Sequence, residues 1–486
     1  MIFVLVIYGV MLCFISIFVA FQLVHWMHYK RYNKKELVVK PLPESLPLVT
    51  IQLPVYNEKY VIERLIRSVC EIDYPKDKLE IQVLDDSNDE TTDIINNCIA
   101  SLDGDIDIKN VRRPVRKGYK AGALDYGLKQ AKGEFIAIFD ADFIPTKDFL
   151  IRMMPHFNAD NIGLVQARWG HVNRENGLLT QLQAFGLDAH FTIEQVGRNA
   201  AGAFINFNGT AGIWRKSCIA DAGGWSHDTL TEDLDLSYRA QMRGWKFAYD
   251  ENITVPAELP SNIYALKSQQ FRWTKGAAEC LRKLVPMLLS SKSGFWQKIH
   301  GIVHLSNSFL FIAILSCALL SIPSLFIKIH SDQYDDFFTW AGVFVSSLFA
   351  LAIIYATAYQ KGNGEMKGFW WRFPVFLSVS MGLSLHNAIA VLEGYMGRKS
   401  PFVRTPKSGE TSAKSGEKLP YIKAEISPLS WVELLFSLIF AFAAVYGIVH
   451  LEFGLVPFHI MLSAGFFYIS TAALGNLKLK PNEAIR

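Results

Sequence analysis

Charge is scarce in this chain. Of its 486 residues only 19% are Asp, Glu, Lys or Arg, against about a quarter in ordinary soluble domains, while 50% are hydrophobic. A chain so long and so apolar is not one soluble domain, and part of it must lie in lipid. The net charge is only +4, and the basic residues fall in blocks beside apolar runs, so a membrane surface suits them better than nucleic acid. Cysteine is scarce too: Cys13, Cys70, Cys98, Cys218, Cys280 and Cys317 show no metal-ligand spacing, and Cys13 and Cys317 lie inside apolar runs. That argues against a disulfide framework or a zinc site and fits a reducing cytosol. There is no internal repeat, and low complexity is confined to the Lys/Ser/Gly-rich stretch 407–418.

What the chain has in abundance is apolar runs near the twenty residues a bilayer requires: 2–24, 302–327, 339–359, 432–450 and 453–475, with 374–392 as an ambiguous sixth. The first is too long for a signal peptide's apolar region and is followed by HYKRYNKKELVVK, so it reads as a retained anchor over 1–28. Lys30, Arg31, Lys34, Lys35 and Lys40 put the following residues in the cytoplasm. The loop from Gly397 to Ser430, with seven basic residues, belongs inside as well. Five spans satisfy both placements if 368–396 lies along the inner interface. The expected order is a cytosolic domain over 41–300, two spans in 301–360, an interfacial helix and cytosolic loop in 368–430, two spans in 431–476, and a cytosolic tail at 477–486.

The 41–300 segment alternates strand and helix. PLVTIQLPVYNE opens with an apolar strand, KYVIERLIRSVCEI has helical three-and-four spacing, LEIQVLDDSND ends a second strand in carboxylates, and GEFIAIFDADF does the same for another. This predicts an open α/β sheet with its ligand beyond the carboxyl ends of the strands.

Four clusters carry candidate chemistry, each with a plainer alternative. Asp140 and Asp142 of FDADF either hold a hard divalent cation or cap the following turn. Asp85 and Asp86 either cap a helix or bond a nucleotide's base or ribose. Thr231 is a good N-cap, and Glu232 and Asp233 lie in the helix's first turn, where the positive helix end favours the charged form; Asp233 is a general-base candidate, or simply part of an acidic first turn. In SQQFRWTKGA, Arg272 offers a fork for phosphate oxygens, Gln269 an amide, and Trp273 a flat face for a sugar ring; an interfacial Trp/Arg belt has the same composition.

Taken in order, Asp-Asp, Asp-x-Asp, Thr-Glu-Asp and Gln-x-x-Arg-Trp before membrane spans resemble the family 2 inverting glycosyltransferases of the cellulose, chitin and hyaluronan synthase group, over about 48–475. Within it GYKAGALDYGLKQAKGEFIAIFDADFIP, HFTIEQVG, FNGTAGIWR and DAGGWSHDTLTEDLDLSYRA look most like the cellulose-synthase-like mannan and glucomannan synthases, as does the single N-terminal span.

The resemblance implies a GT-A-type nucleotide-sugar-binding α/β domain inserted between transmembrane helices. It implies that Tyr56, Glu58, Asp85 and Asp86 contact the nucleoside, and that Lys120, Gln269 and Arg272 contact the diphosphate. Asp140 and Asp142 would hold Mg²⁺ or Mn²⁺, with Asp233 as base beside Glu232. Asn208, Gly209 and Thr210 would line the acceptor, where cellulose synthases have Cys-Gly-Ser, and Trp273 would stack on it. FVRTPK resembles a gating loop through Phe402, Thr405, Pro406 and Lys407, although Arg404 stands where that motif has valine; a turn in a basic loop is the alternative.

The implied activity is a processive β-glycosyltransferase in the cell membrane, or the Golgi membrane of a eukaryote. It would take UDP-Glc or GDP-Man, extend a β-glycan and move it across the bilayer, with an export partner left unspecified. A transferase adding one sugar to a lipid acceptor, like the ceramide glucosyltransferases, is the first alternative. A transporter or inactive membrane scaffold is the second; few ionisable residues in the spans and the absence of repeated halves speak against a transporter.

Overall fold

The computed structural model describes residues 1–32, 41–42, 45–102, 104–400, 407, 409 and 427–475. After a long apolar helix, Ile2–Tyr32, the chain builds one seven-stranded sheet. Its strands are β1 Val49–Val55, β2 Leu79–Asp85, β3 Asp107–Val111, β4 Phe135–Ile138, β5 Ile162–His171, β6 Gly212–Arg215 and β7 Lys246–Ala257, in the order β3-β2-β1-β4-β6-β5-β7. Strands β3, β2, β1 and β4 run parallel, β6 is antiparallel to both its neighbours, and β7 is parallel to β5. The chain steps outward from β1 through β2 to β3 and then resumes at β4 on the other side of β1. The order therefore reverses between β1 and β4, which opens a crevice at their carboxyl ends.

The sheet's two faces are chemically unlike along β1. Val49, Ile51, Leu53 and Val55 enter a core with Ile62, Leu65, Ile66 and Val69, the apolar stripe of the helix Ile62–Cys70. The opposite face carries Thr50 and Gln52, which pair in register with Glu80 and Gln82 of β2. Thr50 donates to Glu80 at 2.7 Å, and Gln52 donates to Gln82 at 3.0 Å. All four are buried, and such groups are tolerated inside only when paired. Gly127 lies over this ladder: a Cβ there would come within 2.7 Å of the Gln52 amide nitrogen and 2.9 Å of Gln82 Oε1. The helix Tyr119–Leu128 can thus lie close on the sheet, and its first turn brings Lys120 to the crevice.

Five helical stretches among the described residues are long and apolar enough to cross a membrane: Ile2–Tyr32, Phe295–His330, Asp332–Gly362, Pro428–Val449 and Val456–Gly475. A sixth candidate, the helix pair Phe369–Gly382 and Ser384–Tyr395, is bent by 48°. Small residues let helices meet closely here, since a Cβ at Gly382 or Gly465 would strike the backbone of the other's helix. The joint between sheet and membrane helices is the 28-residue helix Ile263–Ser290, capped by the Asn262 side chain, which accepts from Ala265 N at 2.8 Å. From it Lys267 reaches both oxygens of the buried Glu433 at 2.8 and 2.7 Å, and Lys275 reaches Glu393 at 3.0 Å.

Candidate active site

The SQQFRWTKGA stretch is helical, and that settles how its side chains are used. Gln269, Arg272 and Trp273 stand at i, i+3 and i+4 of Ile263–Ser290, hence on one face. That face closes a cavity of about 220 Å³ at the β1/β4 crevice. Tyr56 and Glu58 enter it from beyond β1, Asp86 from beyond β2, and Asp140 and Asp142 from beyond β4. Lys120, Asn208, Gly209, Glu232, Asp233 and Lys407 complete the convergence. Strand β4 ends at Ile138, so the two FDADF carboxylates sit in a turn rather than on an extended chain.

The backbone is unusual where it bounds this cavity. Among the described residues four non-glycines adopt positive φ, and three of them adjoin site residues: Asn57 (55°) lies between Tyr56 and Glu58, Tyr119 (47°) precedes Lys120, and Ala211 (56°) follows Thr210. Left-handed backbone at a non-glycine costs energy and persists where surrounding structure enforces it.

Not every residue in the acidic clusters faces the cavity. Asp85 is buried and occupied: it accepts from Ser87 N at 2.8 Å, Thr92 Oγ1 at 2.8 Å and Arg112 at 3.0 Å, and it is not part of the cavity wall. Asp86 does line it, held by Arg113 through bonds of 2.7 and 2.5 Å. Thr210 is also buried behind the wall, where its hydroxyl accepts from Asp140 N at 2.9 Å and so fixes the FDADF turn. Thr231 does not cap its helix through its side chain; its hydroxyl meets Cys280 Sγ at 3.4 Å. Phe402, Thr405 and Pro406 lie outside the described residues.

Two pairs of carboxylates line the cavity. Asp140 accepts from Lys120 at 2.5 Å, and Asp142 accepts from Lys407 at 2.6 Å. Glu232 and Asp233 start the helix Glu232–Met242. Burial, followed by the charge of Glu232, pushes the Asp233 carboxyl up to about 7, against the opposing pull of Lys120 and the Leu234 amide, which donates to it at 2.8 Å. Burial raises Glu232 as well. Helix position alone predicts a lowered pKa here; burial and mutual repulsion outweigh the helix end. Burial disfavours the Lys120 ammonium, but Asp140, Glu232 and Asp233 overcome it and hold its pKa above the ordinary value. Gly209, at φ 80°, brings its carbonyl to Lys120 at 2.8 Å, and a Cβ there would stand 3.3 Å from Asp233 Oδ2.

Three groups that motif reading passed over also belong here. Arg116 lays its guanidinium 3.4 Å from the centre of the Tyr56 ring, and Arg113 orients Asp86. Their signal was present in RRPVRKGYK, a basic run directly before the Lys120 helix that complements the acidic clusters. Trp169 of β5 is the third, with its ring 6.5 Å from that of Trp273. A second cavity, of about 390 Å³, is lined by the helices Leu178–Ala189 and Ile263–Ser290, by the bent pair, and by Phe311 and Tyr355 of two candidate spans; Leu187, Gln269 and Trp273 line both cavities.

Sheet order, crevice and acidic turns define a GT-A nucleotide-sugar transferase fold. The solved mannosyltransferase PcManGT from Pyrobaculum calidifontis, in complex with GDP-Man and Mn²⁺, shares it: TM-score 0.58, 20% identity, covering 81% of this chain and 100% of that one. Residues 47–276 match the family model described as glycosyltransferase like family 2. The chain is 36% identical over 391 residues to glucomannan 4-beta-mannosyltransferase 9 of Arabidopsis thaliana, covering 77% of this chain and 70% of that one. It is 35% identical over 464 residues to glucomannan 4-beta-mannosyltransferase 1 of Oryza sativa subsp. japonica, covering 89% and 84%. The chain therefore belongs to the family 2 glycosyltransferases, in the cellulose-synthase-like group, and its curated relatives are glucomannan mannosyltransferases. It is a glycosyltransferase that uses a nucleotide sugar, with helices suited to a membrane.

Proposed function

We propose that this chain is a processive, inverting β-mannosyltransferase that takes mannose from GDP-mannose, extends a β-glycan and passes it into the membrane. The relatives' names and the GDP-Man complex of the fold neighbour support the donor. The observation that supports processivity is that Leu187, Gln269 and Trp273 line both the carboxylate cavity and the second cavity beside it.

In this reading Asp233, with its pKa near 7, takes the proton from an acceptor hydroxyl. The oxygen then attacks the anomeric carbon opposite the nucleoside diphosphate, so an α-linked donor gives a β-linked product. Tyr56, Glu58 and Asp86 hold the nucleoside, while Lys120, Gln269 and Arg272 meet the diphosphate. Asn208 and Gly209 flank the acceptor, and Trp273 stacks on it. Mg²⁺ or Mn²⁺ fits the chemistry of Asp140 and Asp142, because Asp142 already receives a cation, the Lys407 ammonium, and carboxylate oxygens are the donors such ions take. When bound, the metal would neutralise the diphosphate as a leaving group.

Topology follows the same contacts. Lys30 and Arg31 close the first helix, which favours a cytosolic sheet domain. Contact of Lys407 with Asp142 supports a chain that lies on the sheet's side of the membrane at residue 407, hence five spans with the bent pair not crossing.

Full-length protein in lipid nanodiscs, given GDP-mannose, GDP-glucose or UDP-glucose with Mg²⁺ or Mn²⁺, tests the reading. A β-linked polymer from GDP-mannose is expected, and Trp273→Leu should shorten it while leaving GDP affinity in place. Stacking of this kind is worth about 1 kcal/mol. A single mannose on an extractable lipid would replace processive synthesis with lipid glycosylation.

A further inference from the structure

The ammonium of Lys407 lies 2.6 Å from Asp142 Oδ2, and it also donates to the Glu258 carbonyl at 2.8 Å. Both side chains of the ion pair are only 10% exposed. A loose surface pair contributes little and is screened, whereas one closed off from solvent is specific. Two residues on, Gly409 N donates to Glu258 Oε2 at 3.0 Å, with the glycine at φ 75° and a hypothetical Cβ only 2.8 Å from the Tyr60 carbonyl. Glu258 thus grips the chain twice, through its carbonyl at Lys407 and its carboxylate at Gly409, and this double hold sets the ammonium on Asp142.

A divalent cation bound through that oxygen would stand about 2.0–2.6 Å from it. An ammonium at 2.6 Å from the oxygen occupies the space and supplies the charge that the metal would supply. Ammonium and metal compete for Asp142 Oδ2, because a cation sharing that oxygen would sit against the charge of the ammonium. Asp140 differs in that its lysine, Lys120, stands in the first turn of a helix packed on the sheet; like Lys407, it also donates to a backbone carbonyl, Gly209 O, at 2.8 Å.

We propose that Lys407 is an internal competitor for the metal: in the donor-free protein its ammonium holds the cation position on Asp142, and metal binds only by displacing it. The affinity of the free enzyme for metal is therefore set by residue 407 as well as by the carboxylates. This rests on the reading of Asp142 as a metal ligand, and the experiment separates the two.

The measurement is Mn²⁺ binding to full-length protein in nanodiscs without donor, followed by the electron paramagnetic resonance signal of free Mn²⁺. Lys407→Gln should tighten Mn²⁺ binding by about tenfold, the scale of one modest electrostatic contact, whereas Lys407→Arg, which keeps the cation, should stay near the parent. Asp142→Asn should abolish the tightening in the Lys407→Gln background. Unchanged or weaker binding in Lys407→Gln, with binding still lost in Asp142→Asn, overturns the competition while leaving the metal site in place. Undiminished binding in the Asp142→Asn, Lys407→Gln double variant overturns the metal reading, and the competition with it.

Discussion

Asp140 with Asp142, and Glu232 with Asp233, are two carboxylate pairs lining one cavity, and they differ in whether a lysine is bonded to each member. Asp140 and Asp142 each accept from a lysine of their own. Among the described residues neither Glu232 nor Asp233 has an ion-paired lysine of its own; Lys120, already bonded to Asp140, opposes the rise in both, and Arg272 opposes it in Glu232 as well. Residue type is the same throughout, so supply of positive charge in a buried space divides the work. The pair with an ion-paired lysine for each member suits holding a metal, and the pair without one suits holding a proton.

The largest expected effect breaks that division directly. Asp233→Asn should lower kcat by about a thousandfold or more, within the range a general base contributes, with Mn²⁺ and GDP binding retained. Asp142→Asn should instead lose Mn²⁺-supported donor binding. Steady-state kinetics paired with calorimetric titration distinguishes the two, and an interchange of the phenotypes would exchange the roles.

A smaller effect concerns the shared cation. Lys120→Met removes the lysine that opposes the rise of Asp233, so the pH at which kcat/KM for the donor reaches its plateau should move upward by about one unit. A profile that stays in place would mean Lys120 acts on Asp140 alone.

The smallest is a stability effect with a definite sign. Asp233 has its pKa raised from 3.8 to about 7 on folding, so its contribution to stability is fully present below pH 3.8 and is lost as pH climbs through 7. Asp233→Asn removes the buried charge, and its melting temperature should exceed the parent's by more at pH 8 than at pH 5. Equal differences at the two pH values would place Asp233 in a less buried setting than the one described.

Much of this was legible in the letters because it depends on short-range order. Strand-ending carboxylates announced the crevice, since a strand fixes where its last residue emerges, and Gln269, Arg272 and Trp273 needed only helical spacing to share a face. Asp85 and Asp86 show where legibility stops. As adjacent letters they look interchangeable, yet the strand's alternation turns Asp85 inward to Arg112, Thr92 and Ser87, and leaves Asp86 for the cavity. The proton affinity of Asp233 was misjudged for a related reason: the helix end is visible in sequence, while burial and the Glu232 charge are set by tertiary packing. Thr210 and Arg116 depend on neighbours distant in the chain, Asp140 for the first and Tyr56 for the second.

The central claim, that Asp233 is a base tuned by burial and by Glu232, is met most directly by the pH dependence of kcat/KM for GDP-mannose in the full-length protein. A limb that rises to a plateau through pH about 7, and is absent from the residual activity of Asp233→Asn, is the predicted result. The same limb persisting in Asp233→Asn would contradict the account.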